Sequence, residues 1–81
     1  MKVAVKFFAR ARDLAGTGEV ECELPEVARV VELKQHLATR FPALAPVVPS
    51  LLVAVGNDYA QDATALAPGS RIACFPTVSG G

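Results

Sequence analysis

Hydrophobic and polar positions alternate from the start of the chain. Over residues 2–10, Val3, Val5, Phe7 and Ala9 fall on one side and Lys2, Lys6, Phe8 and Arg10 on the other. A period of two marks a strand with two unlike faces. Gly16-Thr17-Gly18 supplies backbone suited to a turn. Residues 19–24 alternate again, Val20, Cys22 and Leu24 against Glu19, Glu21 and Glu23, which predicts a hairpin with one solvated face. The period then changes. Val27, Val30, Leu33, Leu37 and Phe41 recur at steps of three and four, as in an amphipathic helix. No Ser, Thr, Asp or Asn stands where an N-cap belongs, so the start falls anywhere between Glu26 and Val30, while Pro42 disfavours helical geometry at Phe41 and sets the end.

Pro42, Pro46 and Pro49 make a stiff connection. Residues 51–55 form a continuous apolar run, predicted as a strand largely covered on both faces and closed by a turn at Gly56-Asn57-Asp58. Residues 59–66 are ambiguous, with a short edge strand as one reading. Ala67-Pro68-Gly69-Ser70 reads as a turn, after which Ile72 and Cys74 alternate with Arg71, Ala73 and Phe75 in a last strand that Pro76 ends. The predicted class is α+β: a mixed sheet of four to five strands with one main helix on one face. Val30, Leu33 and Leu37 cover that face, and the opposite face, carrying Phe8 and Phe75, is left without a cover. Two outward aromatic rings make that face a contact surface.

Composition narrows the functions. The 81 residues suffice for one domain, and eight basic residues balance eight acidic ones, so neither nucleic acid nor an anionic membrane is expected as partner. No apolar run reaches the ~20 residues of a membrane helix, and the opening residues alternate Lys with Val instead of following a signal-peptide pattern, so the expected location is the cytoplasm. Cys22 and Cys74 are too few for a disulfide framework or a four-donor metal site and read as core residues. His36, four residues after Glu32, reads as half of a surface pair. Lys2, Lys6 and Arg10, sharing a strand face with Phe8, read either as a docking patch for an acidic partner or as solvated sheet charges.

The division expected is a domain over residues 1–76 and a flexible, extended tail over residues 77–81, Thr-Val-Ser-Gly-Gly. Two terminal glycines remove every Cβ from the last positions, so this backbone fits a channel too narrow for side chains and delivers the Gly81 carboxylate alone. A carboxylate is unreactive toward nucleophiles at neutral pH. Chemistry there requires an outside enzyme to convert it, for example to a mixed anhydride with AMP at the expense of ATP; a sulfur donor that displaces AMP then leaves a thiocarboxylate. The alternative is a frayed terminus.

The opening segment, residues 5–16, the helix segment 30–37 with Phe41-Pro42, and the ending Phe75-Pro76-Thr77-Val78-Ser79-Gly80-Gly81 carry a resemblance along essentially the whole chain. The sequence resembles the β-grasp sulfur carriers, most closely the molybdopterin synthase small subunits (the MoaD group). That resemblance implies a ubiquitin-like fold with no cofactor bound and sulfur carried covalently at Gly81. It implies an E1-like adenylating enzyme that uses ATP, and a large synthase subunit in an assembly of two small and two large chains. It also implies that Ser79 and Gly80 thread the partner's channel and that Phe8 and Phe75 pack against partners. The chain is then a sulfur-transferase subunit and no enzyme by itself. Three features depart from the family pattern: Ser70-Arg71 replaces an acidic pair, Thr77 stands where a second proline is common, and Gly56-Asn57 inverts the usual order. A carrier for thiamine thiazole formation or tRNA thiolation remains open, as does a protein modifier or interaction module.

Overall fold

The structure is a computed structural model and describes residues 1–77. Five strands form one sheet in the order β2-β1-β5-β3-β4. β1 (Lys2–Phe7) pairs antiparallel with β2 (Glu19–Glu23) and parallel with β5 (Arg71–Phe75). β3 (Leu52–Val55) pairs antiparallel with both β5 and the short edge strand β4 (Asp58–Ala60). The first and last strands of the chain therefore lie side by side at the centre of the sheet.

Alternation works as expected on the inner face. Val3, Val5 and Phe7 of β1, Val20 and Cys22 of β2, Val53 of β3, and Ile72 and Cys74 of β5 are all buried. They meet Val30, Leu33 and Leu37 of the main helix, α2 (Val30–Arg40), each with no exposed surface. Phe7 adds an edge-to-face contact with Phe41 at 5.6 Å between ring centroids, a geometry that contributes about 1 kcal/mol beyond the area buried. The three prolines lie in the connection after α2, which closes as a 3₁₀ helix (Ala45–Ser50) and plugs the core with Val48. Fully burying each of these aliphatic side chains stabilises the fold by roughly 1.5–3 kcal/mol.

Four expectations change. The first strand ends at Phe7, and α1 (Ala9–Ala15) fills the place of a simple hairpin loop. Ala9 takes a left-handed conformation, φ 52, the only such non-glycine residue described, and turns the chain from strand into helix at a cost of about 1–2 kcal/mol. Gly16 ends α1 in the same region, φ 76, with its N–H donating to the Arg12 carbonyl, so this glycine is a helix terminator before it is a hairpin residue. Arg10 consequently lies on α1, away from the strand face assigned to it, and Ala9 is exposed.

Val27 is the second change. It is 89% exposed because α2 starts only at Val30, while Ala28 takes the inward position. The missing N-cap side chain has a physical explanation: Thr64 and Asp62 carbonyls accept the Val30 and Val31 N–H groups at 3.0 and 3.1 Å, and Glu32 Oε1 accepts the Arg29 N–H at 2.8 Å. A distant loop satisfies the orphan donors of the helix. Third, β3 is covered on one face only, since Leu52 is 43% exposed. Fourth, His36 makes no pair with Glu32; its Nε2 is enclosed without a hydrogen-bond partner among the described residues. The inverted Gly56-Asn57 order fits its turn: Gly56 has φ 63 and Asn57 does not enter the left-handed region, the arrangement of a glycine-first hairpin.

Candidate functional site

The face of the sheet opposite α2 has no element of the described chain packed across it. Register places its side chains. Glu19, Lys6, Ala73, Ala54 and Tyr59 run in one row across all five strands, and Leu52 lies beside Phe75 in the next. Phe8, one residue beyond β1, extends the parallel pairing by donating its N–H to the Cys74 carbonyl at 3.2 Å. Its ring stacks on Phe75, 4.8 Å between centroids and 11° between planes. The two rings named from the sequence thus meet on this face, at the root of the tail. Lys6 shares the face with them and Arg10 does not. Gly80, Gly81 and Ser79 lie outside the described residues.

The face is apolar at one end, charged at the other. Phe8 is 41% exposed, Tyr59 74%, and both are large apolar groups for which burial is favourable. Toward the β2 edge lie Glu19, Glu21 and Glu23, with Lys2 3.8 Å from Glu21. Between these ends Ala4, Ala73 and Gly56 leave a shallow trough of about 520 Å³, with Lys6, Glu19 and Arg71 on its rim. Leu52, Tyr59 and Arg71 were not singled out as site residues from sequence; the alternation of Leu52 with Val53 was the available signal for the first of them.

No nucleophile, base and orienting acid converge on this face among the described residues. Among the described residues no group of three or more His, Cys, Asp or Glu is placed to hold a metal, and no helix is long and apolar enough to cross a membrane. The thiols are core groups. Burial pushes Cys74 up to about 12, with Cys22 adding to the shift and Lys34 opposing it. Burial also raises Cys22, partly offset by the Arg40 guanidinium, which reaches over to donate to the Glu21 carbonyl at 2.8 Å. Protonated buried thiols are poor nucleophiles.

A mixed sheet wrapped around one helix, with its first and last strands paired in parallel at the centre, defines a β-grasp, ubiquitin-like protein. The chain belongs to the ThiS family, whose model matches residues 5–81 and so includes both terminal glycines. Within it the similarity is to the small subunits of molybdopterin synthase. The chain is 34% identical to the molybdopterin synthase sulfur carrier subunit of Chlamydomonas reinhardtii, over 100% of both chains. A solved structure described as a putative molybdopterin converting factor, subunit 1, from Pyrococcus furiosus matches with a TM-score of 0.87 and 35% identity over 96% of this chain and 99% of that one. Small archaeal modifier protein 1 of Haloferax volcanii matches with a TM-score of 0.85 and 26% identity, over 95% and 98%.

Proposed function

We propose that this protein is the sulfur carrier subunit of molybdopterin synthase. An E1-like enzyme joins the Gly81 carboxylate to AMP, releasing pyrophosphate from ATP; a sulfur donor then displaces AMP and leaves a thiocarboxylate. The loaded tail enters a large synthase subunit, where Ser79 and Gly80 thread the channel and the sulfur passes to a pterin precursor in molybdenum cofactor biosynthesis. The open face, with Phe8 and Phe75 at the tail root, docks on that subunit in an assembly of two small and two large chains in the cytoplasm. This chain binds no cofactor of its own; the nucleotide belongs to the activating enzyme.

The observation that carries the reading is the full-length similarity to a named sulfur carrier subunit, which extends over the Gly80-Gly81 ending. The fold supports it in a second way: the sheet face opposite α2 is open and carries the exposed Phe8 stacked on Phe75, just before the tail. Deleting Gly80 and Gly81 tests it. The expected result is loss of sulfur transfer, with unfolding temperature and binding to the large subunit nearly unchanged; a truncated protein that still transfers sulfur refutes the proposal.

The likeness to the Haloferax protein favours a second reading, in which Gly81 forms isopeptide bonds with target lysines. Conjugates that vanish on loss of Gly81, with no sulfur on the free protein, are its signature.

A further inference from the structure

The cations of the open face are not equivalent. Strand register sets Lys6 opposite Glu19, and Lys2 approaches Glu21, so each lysine has a carboxylate on the neighbouring strand. Arg71 has none. On one side it stands opposite Ala4, and on the other its carbonyl accepts the Gly56 N–H at 2.9 Å. It is exposed and joins no ion pair among the described residues. Ala4, Ala73 and Gly56 around it leave the trough into which an approaching group fits.

Arg71 also has a fixed relation to the apolar end. It and Phe75 project from the same face of β5, four residues apart, a separation of about 13 Å at ~3.3 Å per residue. A guanidinium offers a planar fork of donors that a carboxylate fills with two parallel bonds, and small neighbours let the partner come close. A polyanion is disfavoured, because Glu19, Glu21 and Glu23 line the adjoining edge strand.

We propose that Arg71 is a specificity-determining contact, which pairs with a carboxylate on the large subunit held about 13 Å, four strand residues, from the apolar group that seats on Phe8 and Phe75. The inference rests on the reading that the open face docks the large subunit. Lys2, which approaches Glu21, and Lys6, which faces Glu19 across the strand register without closing an ion pair, each have a carboxylate directly opposite and add less to that contact.

The test is calorimetric titration of the large subunit of the same organism with the full-length chain and with R71E, K6E and F75A, at low and at physiological salt. The expected outcome is a loss of about 30-fold or more for R71E, a flatter salt dependence in that variant, and a change of about threefold or less for K6E. Retained unfolding temperature in R71E shows that the fold is not the cause. If R71E binds like the parent while F75A is weakened, the Arg71 contact is refuted and the docking face stands. If neither substitution matters, the docking face itself is refuted and the contact with it.

Discussion

The same five strands present two faces that differ in almost every respect. On the inner face Val5, Cys22 and Cys74 have no exposed surface; on the outer face Phe8, Leu52 and Tyr59 remain substantially exposed. Period-two alternation puts both sets on one backbone, one residue apart. The inner set is closed by α2 and holds the fold. The outer set has no cover within the described chain, although its rings are as apolar as the core. A small domain has little core to spare, so apolar area left in water next to the tail root is best explained by a second protein that covers it. Substitutions therefore separate stability from binding according to the face on which they fall.

The largest expected effect lies inside. Leu33→Ala leaves a cavity under α2 and is expected to destabilise the fold by about 2–5 kcal/mol, lowering the unfolding temperature by roughly 8–40 °C. A calorimetric scan measures it, and a loss under 1 kcal/mol would break the assignment of the inner face as the core. Next comes Cys74. Its folded thiol keeps its proton up to about 12, whereas the unfolded thiol releases it near 9.0. The unfolded state thus gives up its proton first, so this contribution is fully present below about pH 9 and disappears as pH rises toward 12. Urea unfolding between pH 8 and 11 should show a steeper decline in the parent than in Cys74→Ala.

On the outer face the order reverses. Phe75→Ala removes the stacking contact with Phe8, about 0.5–1.5 kcal/mol beyond the area that the half-buried ring covers, and should cost less stability than Leu33→Ala. Binding to the large subunit should fall at least tenfold, as expected when an aromatic anchor is truncated. A stability loss as large as that of Leu33→Ala, with binding unchanged, would erase the contrast between the faces. The smallest effect is expected for Asp62→Asn. The carbonyl that accepts the Val31 N–H is kept, and only the 2.9 Å contact of Lys34 with the largely exposed carboxylate is weakened, for about 0–1 kcal/mol by chemical denaturation.

What was legible in the sequence follows from how far each signal travels. β1, β2 and β5 and the inward stripe of α2 are written in local periodicity, and parity alone placed Phe8 and Phe75 on one face. α1 was not legible because its seven residues bury only Ala11, too few for a helical period, and because the alternation of β1 runs on past Phe7 as far as Arg10. The start of α2 was hidden for a different reason: its caps are backbone carbonyls from Asp62 and Thr64, thirty-odd residues further along. Arg71 was marked in the sequence only as a departure from the family's acidic pair, and its place on the open face was hidden for the same long-range reason. Only the parallel pairing of β1 with β5 shows that Ala4, and no acidic residue, stands opposite it.

The central claim concerns Gly81, and the intact mass of the protein after incubation with ATP, sulfide and its adenylating enzyme addresses it most directly. The account predicts a gain that matches exchange of one oxygen for sulfur, localised to Gly81 and absent when that residue is deleted. An unchanged mass under conditions that load another carrier of the family would contradict it.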